Sequence, residues 1–144
     1  MNPTLTILVV DDSAPMRTLI ATILTAADHI VLLAEDVPRA LEMLDVQRPD
    51  LILTDYRMPG LTGADLVHEI RSRASFAGTP VFVVSSERAP ETRSRMASAG
   101  ANGWVSKPVC ARTLLAAVDT IARSVSVASI PAPDHRPATF AKRG

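Results

Sequence analysis

Leu5-Thr6-Ile7-Leu8-Val9-Val10-Asp11-Asp12-Ser13 is a nearly unbroken apolar run that stops abruptly at two carboxylates and a helix-capping serine. A strand with one wet face alternates apolar and polar residues. A run that does not alternate needs cover on both faces, as in a parallel sheet sandwiched between helices. Comparable runs follow at Ile30 to Ala34, Leu51 to Thr54 and Val81 to Val84, with a weaker one at Trp104-Val105. Between them the apolar period changes to that of a helix. Met16, Leu19, Ile20, Ile23, Leu24 and Ala27 share one face, and Ser13 with Pro15 supplies a cap and first turn. A second helix is predicted from Pro38 to Gln47, stopped by Arg48-Pro49. A third after Leu61-Thr62-Gly63 uses Leu66, Val67 and Ile70, and a fourth from Pro90 to Ala99 ends at Gly100. The fifth presents Leu114, Leu115, Val118, Ile121 and Ala122.

Five βα units with right-handed crossovers make an α/β fold, a doubly wound five-stranded parallel sheet with helices on both faces. One domain is expected over residues 1–123. From Ser124 the periodicity fades into small and proline residues ending Ala141-Lys142-Arg143-Gly144, so 124–144 is expected to be a disordered tail.

Bulk properties narrow the function. Within 144 residues, 15 basic side chains balance 15 acidic ones, so no global field draws the chain to nucleic acid or an anionic membrane. Cys110 is the single cysteine, which excludes an internal disulfide. No apolar run approaches the ~20 residues of a membrane span, and Met1-Asn2-Pro3-Thr4 has no basic export region. A cytoplasmic protein without membrane insertion is the expectation.

In an open parallel sheet, ligands bind beyond the carboxyl ends of the strands. Polar residues converge there: Asp11 and Asp12 after the first strand, Asp55 after the third, Ser85 and Ser86 after the fourth, and Ser106-Lys107-Pro108 after the fifth. Each has a plain structural use. Asp11-Asp12 suits a helix start, Asp55 a turn before Met58-Pro59-Gly60, Ser85 strand-end amides, and Lys107 a solvated loop. Capping and turn preferences do not account for their joint placement at successive strand ends. Neighbouring carboxylates repel by about 4 kcal/mol per pair at ~4 Å and an effective dielectric near 20. Oxygen-only ligands select a hard cation such as Mg²⁺. Such a cation, with Lys107 and Ser85, suits a transferring phosphoryl group, for which Asp55 would be the nucleophile.

Three segments, Ile7-Leu8-Val9-Val10-Asp11-Asp12, Asp50-Leu51-Ile52-Leu53-Thr54-Asp55-Tyr56-Arg57-Met58-Pro59-Gly60 and Gly100-Ala101-Asn102-Gly103-Trp104-Val105-Ser106-Lys107-Pro108, resemble the receiver family of bacterial response regulators. The match runs from Leu5 to about Arg123. The resemblance implies a flavodoxin-like sheet of order 2-1-3-4-5, with Asp55 as phosphoacceptor. It implies Mg²⁺ or Mn²⁺ held by Asp11, Asp12, Asp55 and the backbone carbonyl of Arg57, Asp12 binding directly and Asp11 through water. Ser85 would be the switching hydroxyl, Lys107 the phosphoryl partner, Trp104 the switching aromatic, and Lys107-Pro108 a cis peptide. The partners implied are a sensor histidine kinase or histidine phosphotransfer protein, and a target protein on the face of the fourth helix, fifth strand and fifth helix. Trp104, Ser86 and Val109 depart from the residues commonest there, and Arg57 and Glu87 fill variable flanks where they could pair or screen attacking water.

The reading that follows is a single-domain regulator signalling by protein contact, not an enzyme beyond its own phosphorylation and dephosphorylation at Asp55. The alternatives are a phosphorelay intermediate, or a receiver piece of a larger regulator or hybrid kinase. A haloacid-dehalogenase-like phosphatase would carry a second aspartate where Arg57 stands. A flavodoxin-type carrier would not place Asp-Asp-Ser at a phosphate loop. His29, His68 and His135 lack metal-ligand spacing, and Cys110 is expected to be a buried, inert thiol.

Overall fold

The computed structural model describes residues 3–129, and side-chain surroundings through residue 124. Strands β1 (Thr6–Val10), β2 (Ile30–Ala34), β3 (Leu51–Thr54), β4 (Val81–Ser85) and β5 (Gly103–Ser106) alternate with helices α1 (Ala14–Ala26), α2 (Val37–Leu44), α3 (Gly63–Ser72), α4 (Pro90–Ala99) and α5 (Ala111–Ser129). The strands form one parallel sheet, as the sequence predicts, in the order β2-β1-β3-β4-β5 that the family resemblance implies.

Successive side chains of a strand point to opposite faces, so each continuous run feeds both layers. Leu8, Val10, Ile52, Val81 and Val83 pack with Ala40, Leu44, Leu66, Ile70 and Met96 of α2, α3 and α4. Ile7, Val9, Leu51, Leu53, Phe82 and Val84 pack with Ile20, Leu24, Leu114, Val118 and Ala122 of α1 and α5. Each fully buried aliphatic side chain contributes roughly 1.5–3 kcal/mol relative to exposure. This two-sided burial holds the strand ends, and with them the polar rim, in fixed register.

Local signals start and stop the helices. Ser13 Oγ accepts from the Met16 N–H at 3.3 Å, and Asp36 caps α2 through the Arg39 N–H at 2.9 Å. Thr62 and Asp65 form a reciprocal capping box on α3. Gly100 ends α4 in the left-handed region at φ 118.

Two expectations about helix faces and ends need correction. Leu19 is 41% exposed, because at about 100° per residue it lies well round α1 from Ile20 and Leu24, which form the buried seam. The fifth helix does not fade near Ser124 but continues to Ser129. Once a helix is nucleated, each further residue gains a hydrogen bond, and 124–129 contain neither glycine nor proline to stop it. The remainder of the proposed tail, 130–144, lies outside the described residues, as does His135.

Some buried polar contacts have no periodic signal. The Leu5 N–H donates to His29 Nδ1 at 3.0 Å, so His29 acts as a buried acceptor at the start of β2. Arg71 donates to the carbonyls of Phe76, Ala77, Thr79 and Gly100 and to Asn102 Oδ1, tying the lower ends of α3, α4 and β5 together. Burial lowers the Arg71 pKa from its ordinary value.

At Gly63 the start of α3 passes close beneath the β3 exit. The Gly63 N–H donates to the Tyr56 carbonyl at 2.8 Å. A Cβ there would overlap the Asp55 carbonyl oxygen and lie 3.0 Å from Tyr56 Cα. These are backbone atoms, which cannot swing aside. Gly63→Ala should therefore lower stability by roughly 1–3 kcal/mol in urea unfolding. An unchanged midpoint would mean that α3 is free to slide away from the Asp55 loop.

Candidate functional site

Sheet register builds the acidic site. Val10 and Thr54 are partners on adjacent strands, and the Asp55 N–H donates to the Val10 carbonyl at 3.0 Å, so the residues that follow each strand emerge side by side. Asp11, Asp12 and Asp55 each offer a carboxylate oxygen, and these atoms lie within 4.8 Å of one another. Asp11 and Asp55 are buried, whereas Asp12 is exposed.

Lys107 reaches this cluster from the loop after β5. Its backbone N–H donates to the Ser85 carbonyl at 3.0 Å, and Lys107-Pro108 is a cis peptide. Its ammonium lies 3.2 Å from Asp11 Oδ2 and 3.1 Å from Asp55 Oδ2. One cation thus bridges the two buried acids. Asp11 is further held by the Ser13 N–H on Oδ1 at 2.9 Å, and Asp55 Oδ1 accepts from the Tyr56 N–H at 2.7 Å.

The two sides of this ion pair respond differently. Burial is the largest influence on Asp11 and pushes its carboxyl above the usual range, assisted by the neighbouring Asp55. The Ser13 N–H and Lys107 draw it back only in part. For Lys107, burial acts downward, but the Asp55 and Asp11 carboxylates outweigh it and hold the ammonium above its ordinary value. Lys107 is therefore a fixed positive charge, and Asp11 is a carboxylate under strain from burial and like charge.

The donor set fits a small hard cation. Octahedral ligands at ~2.1 Å from Mg²⁺ stand about 3 to 4 Å apart, so oxygens within 4.8 Å need only a small inward adjustment to share one ion. Among the described residues this is the group of three acids near enough to hold a metal.

The flanks are also populated. Ser85 is buried at the end of β4, and its Oγ accepts from the Glu87 N–H at 3.2 Å. Glu87 Oε1 accepts from Arg57 Nη2 at 2.6 Å and Nε at 3.0 Å, linking the β3 and β4 exits. Arg57 holds the Glu87 carboxyl below, and Glu87 holds Arg57 above, its ordinary pKa. Trp104 is half-buried against the α2–α3–α4 layer with Arg93 5.0 Å above its ring, and its Nε1–H is buried without a partner. All the expected site residues except Trp104 therefore lie around or beside the acidic rim, with Trp104 on β5.

Sequence reading missed the Lys107 bridge to Asp11 as distinct from Asp55, because side-chain reach is not encoded in spacing. It also misjudged Cys110, which is exposed. Cys110 Sγ lies 3.2 Å from Thr113 Oγ1, and hydrogen bonds from Thr113 and then the Arg112 backbone lower its pKa. It stands on the outer face before α5, so no core neighbour covers it.

Comparison with known proteins agrees with this fold. Residues 7–119 match the response regulator receiver domain family. The chain is 39% identical over 106 residues to two-component response regulator ORR6 of Oryza sativa subsp. japonica, covering 72% of this chain and 62% of that protein. It is 34% identical over 122 residues to chemotaxis protein CheY-3 of Vibrio cholerae serotype O1, covering 84% of this chain and 94% of that protein. The solved structure of chemotaxis response regulator CheY4 of Vibrio cholerae superposes with a TM-score of 0.78 at 31% identity, covering 83% of this chain and 99% of that one. This chain thus spans less than two thirds of the rice protein's length and nearly all of the chemotaxis protein's.

The raised Asp11 pKa carries a sign. The folded state binds that proton more tightly than the unfolded chain, so the contribution of Asp11 favours folding below the ordinary carboxylate pKa. It is lost as pH rises toward the folded value. Asp11→Asn, which keeps an acceptor for Ser13, should stabilise the metal-free protein at pH 7. The gain over wild type should shrink as the buffer is acidified through the carboxylate range. Thermal unfolding at matched pH in chelator checks this, and a variant less stable than wild type at pH 7 would mean that the Lys107 attraction outweighs burial.

Proposed function

We propose, since this chain belongs to the response regulator receiver domain family, that it takes a phosphoryl group on Asp55 from a sensor histidine kinase or histidine phosphotransfer protein. The observation that carries this reading is the Lys107 ammonium 3.1 Å from Asp55 beside two further carboxylates. That arrangement pairs a nucleophilic carboxylate with a fixed positive charge and a donor set suited to Mg²⁺ or Mn²⁺. Receiver domains are signalling proteins rather than enzymes of the ordinary kind. Among the described residues no helix is long and apolar enough to cross a membrane.

Each residue has a physical role in the proposed transfer. An Asp55 carboxylate oxygen forms a bond to phosphorus as the donor's bond to phosphorus breaks, and the donor leaves with that electron pair. Lys107 then has three new anionic oxygens to attract in place of a bare carboxylate. Ser85, whose hydroxyl proton is free to turn because its oxygen accepts from Glu87, is positioned to donate to one of them. Asp12 and Asp55, with the Arg57 carbonyl as a further ligand and Asp11 through water, would hold the divalent cation. That ion supplies neutralisation of the charge developing on the phosphoryl oxygens. The exposed Arg57–Glu87 pair lies between two exits from the sheet, where it can narrow the approach of hydrolytic water.

Output would follow from the same contacts. If Ser85 turns toward the phosphoryl group, the contact behind it loosens, and the orphaned Trp104 Nε1–H gains a reason to move, since a buried unmade hydrogen bond costs ~1–3 kcal/mol. A change from 1:10 to 10:1 between two states needs about 2.7 kcal/mol of differential interaction, within the range of one or two charge-assisted hydrogen bonds. The face formed by α4, β5 and α5 would then present a different surface to a target protein.

Small-molecule phosphodonor with Mg²⁺ should produce acid-labile, hydroxylamine-sensitive labelling of wild type. Labelling should be absent from Asp55→Asn and strongly reduced in Asp12→Ala or with chelator. Undiminished labelling of Asp55→Asn would move the phosphoacceptor elsewhere, and metal independence would remove the cation from the reading. With beryllofluoride as the mimic, Trp104 emission should shift in wild type and not in Ser85→Ala. A shift retained in Asp55→Asn would contradict the proposed coupling.

A further inference from the structure

The loop between β4 and α4 and the end of β5 enclose a second cleft of about 220 Å³, lined by Ser86, Glu87, Arg88, Arg93, Ser106 and Lys107. Its charges do not cancel locally. The Glu87 carboxylate is engaged by Arg57, and the Lys107 ammonium is turned toward Asp11 and Asp55. Among the described residues no carboxylate pairs with Arg88 or Arg93, and no hydrogen bond engages the Ser86 or Ser106 hydroxyl. Two arginines and two serines whose side chains have no hydrogen-bond acceptor among the described residues therefore line one small space, in a chain whose net charge is zero. A general surplus of positive charge does not explain the cluster.

We propose that this cleft binds a phosphate-class dianion, either free inorganic phosphate or the phosphate of a small monoester, at a site separate from the acidic cluster. A tetrahedral oxyanion offers enough acceptor oxygens to serve both guanidinium forks and both hydroxyls, whereas a carboxylate offers only two oxygens. The space is below the ~300 Å³ at which pockets for larger ligands begin, and equals roughly seven waters at ~30 Å³ each. It has room for a phosphate group and a short ester. An anion there bridges the loop that carries Ser86 and Arg88 to the end of β5, and acts on Arg93, whose guanidinium covers the Trp104 ring at 5.0 Å. Occupancy therefore restrains the loop that follows Ser85 and alters the surroundings of the single tryptophan. The lining arginines are exposed and screened by salt, so affinity on the order of millimolar is expected.

The test is titration with inorganic phosphate, and in parallel with glycerol 3-phosphate, at constant ionic strength maintained with chloride. Binding is read from the backbone amide resonances of Ser86, Arg88 and Ser106 and from Trp104 emission. Saturable shifts in wild type are expected, with at least about tenfold weaker binding in the Arg88→Gln, Arg93→Gln double variant. A smaller loss is expected in Ser106→Ala, which keeps the test alive should the double variant fold poorly. Tighter binding of one probe identifies whether the site takes the free ion or the ester. The same titration, without divalent cation, of Asp12→Asn, an exposed acid of the cluster that does not contact Lys107, should be unchanged, so the site stands or falls independently of the phosphoacceptor reading. Linear, non-saturating shifts would overturn the proposal, as would equal affinity in the double variant. Markedly tighter binding in Asp12→Asn would place the anion beside the acidic cluster, where removal of a carboxylate relieves repulsion, and overturn it equally.

Discussion

The Lys107 ammonium stands 3.2 Å from Asp11 and 3.1 Å from Asp55, and this bridge makes the acidic rim compatible with a folded protein. Carboxylates this close repel by several kcal/mol at a moderate effective dielectric, and one cation placed between them returns attraction of the same order. The arrangement depends on the parallel sheet, because neighbouring strands bring Asp11 and Asp55 out at the same level while β5 delivers Lys107 from the far edge. A slip of one residue in β1 or β3 would turn a carboxylate from the rim into a layer of helices. Core packing and site geometry are therefore one constraint. The balance is incomplete, as the raised Asp11 pKa shows, and the residual strain favours any divalent cation that can share the load.

Around this centre the chain carries features of its own. Arg57 and Glu87 link the exits of β3 and β4, while Arg93 covers Trp104 on the other side of the β4–α4 loop. That short loop is thus connected to the exit of β3 through Glu87 and flanked by the β5 aromatic. The Glu87 N–H on Ser85 Oγ adds a third connection. Ser85 thus touches the Glu87 end of this loop, while Arg93 on α4 touches β5.

Much of this was legible in the sequence because the underlying signals are periodic or local. Continuous runs such as Leu51 to Thr54 require two-sided burial, and an acid after such a run lies at the sheet rim whatever the details of packing. Ser13, Pro15 and Gly100 mark helix ends by backbone chemistry that needs no tertiary context. Long side chains reaching across the fold were not legible. The Arg71 contacts to separate carbonyls and the Leu5 N–H on His29 depend on where distant backbone groups arrive. The Leu19 expectation rests on a pattern that tolerates wider arcs than a helix buries, and that of Cys110 on a residue preference that ignores its place outside α5. The buried, unpartnered Trp104 Nε1–H likewise has no sequence signal, since it follows from how the indole packs against its neighbours.

The most direct test of the central claim is to identify the atom that carries the phosphoryl group. After incubation with Mg²⁺ and a small acyl phosphate donor, borohydride reduction converts an acyl phosphate to an alcohol, and peptide mass spectrometry locates the altered residue. The account predicts that Asp55 alone is converted to homoserine, with no conversion when the donor is omitted. Reduction at Asp11, Asp12 or any other acid, or an unmodified Asp55 under conditions that label the protein, would contradict it.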